Sequence, residues 1–173
     1  TDGSMKKVYQ AVCCVTEAGR HWIGNAGKND QELIDYMAKD ARTNSSAVVK
    51  KGQKDAKEAR LSFRVMAADG LPYVLVEIHL DTGRHHQIRV QMAHAGLPLF
   101  GDRKYNPEWE LYAKVWQTQM VNESADHVAS RLQAAELALC ATELTFRHPK
   151  TGKPMHFQVK PQKRIFQMFQ GTR

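Results

Sequence analysis

The sequence predicts an α+β fold: a mainly antiparallel mixed sheet with flanking helices. Three observations carry that prediction. Residues 58–67 alternate, with Ala59, Leu61, Phe63 and Val65 on one face and Glu58, Arg60, Ser62 and Arg64 on the other, which is the period of a half-buried strand. Asp69-Gly70 is a tight-turn signal, and residues 71–80 (LPYVLVEIHL) return as a partner strand, completing a β-hairpin. Residues 85–95 (HHQIRVQMAHA) then change to a helical period, with Ile88, Met92 and Ala95 on one stripe and Gly96 as a natural cap.

The remaining elements follow in order. Residues 7–15 (KVYQAVCCV) form a dense apolar run with β-branched residues, read as a buried strand. Turn signals around Trp22 and Ile23 occupy residues 19–27. Residues 30–37 (DQELIDYM) open like a short helix, with Asp30 as N-cap. Residues 43–57 (TNSSAVVKKGQKDAK) are polar and lysine-rich, an exposed hairpin or loop whose surface is either simply solvated or meets phosphate. Residues 97–105 (LPLFGDRKY) form a loop punctuated by proline and glycine. The stretch 108–135 gives a helical or irregular excursion, and a helix starting at Ala125 precedes the strand 137–146. A turn at 148–154 leads to a strand at 155–159, and QKRIFQMFQ ends the chain as a short amphipathic helix. No internal repeat or evident linker divides the chain, so residues 1–173 are read as one domain.

Composition narrows the class. The chain has 173 residues, enough for one core, and 42% of them are hydrophobic. No apolar run is long enough to span a bilayer, and the first residues lack a signal-peptide pattern. A cytoplasmic protein without membrane contact is the expectation. Cys13, Cys14 and Cys140 are odd in number and lack C-x-x-C spacing. Adjacent cysteines rarely bridge each other, so all three are read as reduced, buried thiols, with a redox or nucleophilic Cys13-Cys14 pair as the other reading. The formal charge of +7 and a pI near 9.4 make nucleic acid the natural polyanionic partner.

Chemistry concentrates in residues 80–89 (LDTGRHHQIR), where a strand end, a glycine turn and a helix start meet. This corner would offer backbone N–H groups and bring Arg84, His85, His86 and Arg89 together around an anion such as an RNA phosphate. His86 and Arg89, three apart, fall on the same side of a helix. Read from residue type alone, the same histidines serve equally as capping or packing groups. Adjacent histidines diverge on a helix and no H-E-x-x-H pattern occurs, so no metal is expected. A G-x-S-x-G elbow and a P-loop are both missing.

The string TGRHHQIRVQMAHAGLPLFGDRKY resembles the TGRTHQIR motif of RluA-type RNA pseudouridine synthases, followed by that family's G-x-P-I-x-G-D and Y. LALCATELTFRHPKTGKPMHF is similar to the family's L-H-A-x-x-L-x-F-x-H-P, and KKVYQAV to its K-x-Y-x-A-x-V strand. The matches keep the family's order from about residue 7 to residue 160. His85 replaces the usual Thr or Ser, Cys140 a His or Trp, and Gln91 a frequent His. The family's catalytic Asp lies in an R-L-D-x-x-T-S-G-like segment upstream of the K-x-Y strand, and no such string occurs in residues 1–173.

The resemblance implies isomerisation of specific uridines in rRNA or tRNA to pseudouridine, with no cofactor. The base must leave its stack to be reached. Tyr9 would stack on or near the flipped uracil and assist proton removal from C5. Arg89 would orient the catalytic Asp, and here would lack that partner. Arg84 and His86 would position the loop or contact phosphate, and Leu80 would pack against the base. Gly83, Gly101 and Asp102 would shape the loops, Asp102 not replacing the missing carboxylate. The chain is thus expected to be the C-terminal portion of a synthase catalytic domain, trimmed or split from the Asp segment and inactive alone. The alternative is a non-catalytic RNA-binding module derived from such an enzyme.

Overall fold

The structure, a computed structural model, describes residues 5–25, 29–68, 72–120 and 136–169. Seven strands form one sheet in the order β3-β2-β4-β5-β1-β6-β7. They are β1 Lys6–Cys14, β2 Gln31–Asp40, β3 Ser45–Val49, β4 Lys57–Ala67, β5 Tyr73–Leu80, β6 Leu139–Arg147 and β7 Pro154–Gln158. Every pairing is antiparallel, so the expected mixed character does not arise among the described residues. The helices are α1 Gln87–His94, α2 Trp109–Met120 and α3 Arg164–Gln167, and the stretch Glu17–Asn25 after β1 winds as 3-10 turns. The turn at Asp69-Gly70 and the helix expected from Ala125 lie outside the described residues. No helix among them is long and apolar enough to cross a membrane.

The alternation in β4 does what its sequence implies: Ala59, Leu61, Phe63 and Val65 are buried. With Ala11 and Cys13 of β1, and Val74, Val76 and Ile78 of β5, most of them form a core layer under Ile88 and Met92 of α1. Burying each such side chain contributes about 1.5–3 kcal/mol. The opposite sheet face carries Val12, Cys14 and Tyr73, covered by Phe100, by Tyr112 and Ala113 of α2, and by Ile165 and Phe166 of α3. Ala95, expected on the buried stripe of α1, is only half-buried.

Residues 31–40 are a correction. The expected helix is a strand, paired with β4 from Gln31↔Phe63 to Met37↔Lys57 and with β3 from Tyr36↔Val49 to Asp40↔Ser45. Period 2 is hidden because the inward row reads Leu33, Asp35, Met37, with a carboxylate at an apolar position. Asp35 is tolerated there because Gln91 Nε2 donates to it at 2.8 Å and His94 Nδ1 lies 3.3 Å away. Tertiary pairing thus overrides a helix-start signal.

Residues 97–101 set the site loop. Cys14 N–H donates to Pro98 O and Phe100 N–H to Val12 O, so this segment is stitched alongside β1. Gly101 turns it with φ of 72°, and a Cβ there would run into the Glu136 carbonyl. Only glycine meets both demands. The chain leaves this turn directly into Asp102.

Candidate functional site

The turn between β5 and α1 is held by side-chain amides. Thr82 Oγ1 donates to Gln87 Oε1 at 2.9 Å, and the same oxygen accepts from Arg84 N–H at 2.9 Å. Gln87 Nε2 donates to Arg60 O and to Gln91 Oε1, both at 3.0 Å. Gln87 and Gln91 are buried, so a deleted partner would leave an unpaired amide costing about 1–3 kcal/mol. This ladder fixes the turn to β4.

His86 caps α1 in the left-handed region, φ 54° and ψ 25°, a conformation uncommon for residues with a Cβ. The turn brings its Nδ1 to 2.8 Å from the Tyr105 hydroxyl. That hydroxyl also accepts from Ser46 N–H at 3.0 Å. Burial first, then the charges of Arg89, His85 and Lys104, hold His86 below the usual histidine range. His85 is lowered by desolvation, then by Lys39, Lys104 and Arg89. The two rings lie 3.8 Å apart between centroids.

Arg89 does not lack a carboxylate partner. Its Nε donates to Asp102 Oδ2 at 2.8 Å and its Nη2 to Asp102 Oδ1 at 2.6 Å, a bidentate fork. The Asp102 side chain is fully buried and that of Arg89 is 19% exposed. Asp102 also accepts Lys104 N–H and Tyr105 N–H, at 3.0 and 3.1 Å. The Asp102 hydrogen bond, opposed by desolvation, raises the Arg89 pKa. The Arg89 guanidinium also lies over the Tyr105 ring, 4.8 Å from its centroid. The motif contains the G-D and Y positions, but from sequence Asp102 carries only a loop-shaping role and Tyr105 none. No spacing rule reveals that Tyr105 is the node where His86, Arg89 and Ser46 meet.

The other expected site residues separate into two groups. Tyr9 and Leu80 both pack on the core layer that holds Ile88. Tyr9 pairs with Ile78 in β5, so Leu80 is its diagonal neighbour on the same face. Tyr9 is half-buried, and desolvation raises the pKa of its phenol. No hydrogen bond or ring contact joins Tyr9 to Arg89 among the described residues. Arg84 turns away from Arg89, its Nε donating to Glu58 O at 2.8 Å.

Cys13 and Cys14 are free, buried thiols, and burial pushes both pKa values up, which keeps them protonated and unreactive. Cys140, expected to be buried, is half-exposed and packs only partly against the second core layer. Among the described residues, no three of His, Cys, Asp and Glu converge as a metal site.

Comparison with known proteins bears on this arrangement directly. The family described as RNA pseudouridylate synthase matches residues 1–94. tRNA pseudouridine synthase C of Vibrio cholerae is 30% identical over 166 residues, covering 87% of this chain and 56% of that protein. The dual-specificity RNA pseudouridine synthase RluA of Yersinia pestis is 34% identical over 105 residues, covering 60% of this chain and 41% of its own length. The chain therefore spans little more than half of the one and less than half of the other. Among solved structures, human RNA pseudouridylate synthase domain containing 4 aligns with a TM-score of 0.60 at 18% identity, over 94% of this chain and 59% of that one. Human RNA pseudouridylate synthase domain containing 1 aligns with a TM-score of 0.59 at 14% identity, over 98% of this chain and 66% of that one. These likenesses are of fold. With the family match over more than half of its residues, the chain belongs to the RNA pseudouridine synthases of the RluA type.

Proposed function

We propose that these residues form the C-terminal portion of an enzyme that isomerises specific uridines of rRNA or tRNA to pseudouridine. The observation that carries this reading is the placement of Arg89. Two of its three guanidinium nitrogens are fixed on Asp102, and Nη1 has no partner among the described residues. Asp102 anchors the fork, and Nη1 receives the catalytic carboxylate, which comes from an R-L-D-x-x-T-S-G-like segment outside residues 1–173. Asp102 itself is buried and committed to four N–H donors, so it is not the nucleophile.

In the reaction the uridine N1–C1′ bond breaks, the uracil turns, and C5 bonds to C1′. C5 loses its proton and N1 gains one, so atoms balance without a cofactor. Tyr9 supplies an aromatic face for the flipped base, with base stacking contributing about 1–3 kcal/mol. Its raised pKa keeps the phenol protonated, and Leu80 closes the same apolar wall. Arg84 and His86 hold the turn and the adjacent RNA strand.

Because C5 loses its hydrogen, RNA carrying tritium at uridine C5 reports turnover by release of label. The complete protein should release it, and Arg89→Ala should abolish release while retaining most RNA affinity. Undiminished turnover by that variant would sink the assignment. The 173-residue chain alone should bind RNA without releasing label, and release by it would move the nucleophile to a carboxylate within these residues.

A further inference from the structure

The sheet face that buries Leu61 and Phe63 changes character at its far corner. Met37 pairs with Lys57 across β2 and β4, and Lys39 pairs with Ser46 across β2 and β3. Directly paired residues share a face, and so do residues two apart, so Lys39, Ser46 and Lys57 point the same way as buried Met37. Between them and the turn before α1 lies a cavity of about 300 Å³, at the small end of ligand sites at about 300–1,000 Å³. Arg84 and His85 line its other side, and Asp55 is the one carboxylate in its wall.

Lys39 and Lys57 have no ion-pair partner among the described residues. The Arg84 guanidinium is oriented by its single Nε bond to Glu58 O, leaving both Nη groups without one. Ser46 Oγ and His85 Nδ1 are hydrogen-bonded at 2.9 Å, so the hydroxyl is held at the wall by the ring beside it. Inward lysines near a sheet edge can serve merely to deter strand pairing. That role needs neither a cavity nor an arginine brought from another element to face it. Three cations around a roomy polar hollow, with one acid opposing them, are a site for a compact oxyanion.

We infer that this cavity seats one backbone phosphate of the bound RNA, apart from the Arg89–Asp102 pair. The inference rests on the RNA reading above and adds to it a defined phosphate position. Lys50, Lys51 and Lys54, on the exposed turn after β3, lie outside the cavity.

The test compares wild type, Lys39→Ala, Lys57→Ala and, as a control on exposed α2, Lys114→Ala, each checked for folding by circular dichroism. Binding of a labelled 12-nucleotide single-stranded RNA is followed from 50 to 300 mM salt. In parallel, inorganic phosphate is titrated while the amide resonances of Ser46, Gly83 and His85 are recorded. The expected result is about tenfold weaker RNA binding at low salt for each cavity variant. The slope of log affinity against log salt should flatten by about 0.7, one phosphate contact on a single strand. The control should match wild type, and phosphate should shift the three amides saturably only when both lysines are present. RNA binding that treats cavity and control variants alike, without phosphate shifts, overturns the site and leaves the RNA reading standing. Phosphate shifts without any RNA effect make it a free-anion site and overturn the RNA occupant. Phosphate shifts in a protein that binds no RNA overturn both the occupant and the RNA reading.

Discussion

Asp102 concentrates more of the site's order than any other single residue. It neutralises a fork of Arg89 and ties down two loop N–H groups, with no solvent of its own. Removing one partner of such a pair strands the other. Asp102→Ala should lower the unfolding free energy by about 3–5 kcal/mol, read as a shift of the urea midpoint. Arg89→Met combined with Asp102→Leu should lose much less, because nothing charged is left without a partner. His85 and His86 give a second expectation. Their folded-state pKa values lie below the ordinary histidine value, so the unfolded chain takes up protons first as pH falls. Their contribution to stability is complete above that value and is lost as pH drops through it toward the depressed folded values. Stability should therefore rise between pH 5 and pH 7, measured by urea titrations, and His86→Asn should flatten the rise. Asn tolerates the left-handed backbone and does not titrate. An unchanged slope in that variant would place the dependence elsewhere.

At the scale of elements, two glycines dock the 3-10 stretch onto the end of α1. A Cβ on Gly19 would enter the Gly96 carbonyl, and one on Gly96, whose φ is 79°, would meet the Gly19 amide. Trp22 completes this joint by donating Nε1–H to Ala95 O at 2.9 Å. Gly19→Ala should cost about 1–3 kcal/mol by overpacking, visible as a lower melting temperature, whereas Gly24→Ala, in open space, should not. These same elements show how far the sequence could be read. The hairpin of β4 and β5 and the helix α1 were legible because their apolar rows are unbroken by charge. The strand β2 was not, because inward Asp35 is satisfied by Gln91 and His94 from 56 and 59 residues away. The site divides likewise. His86 and Arg89 could be placed on one side of a helix from their spacing alone. Their meeting at Tyr105, and the pairing of Arg89 with Asp102, depend on a loop stitched to β1 and leave no local signature.

For the whole molecule, the strand order places the first of the described strands inside the sheet. β1 lies between β5 and β6, with Val8 paired to both His79 and Glu143. The strands β2 to β5 pair with near neighbours in sequence, and their hairpins close short loops. The ladder between β1 and β6 joins Ala11 to Leu139 and must pay the entropy of a long closure before any bond rewards it. Folding should therefore begin in β2–β5, with β1 and β6 docking late. In a denaturant chevron series, Leu61→Ala should slow folding, while Val8→Ala should chiefly speed unfolding. Equal effects on the folding limb would contradict this order. During synthesis, β1 leaves the ribosome before both of its partner strands and must wait until β6 emerges before its second edge is covered. Until then one edge of a strand that carries Val8, Val12, Cys13 and Cys14 stays open to other chains.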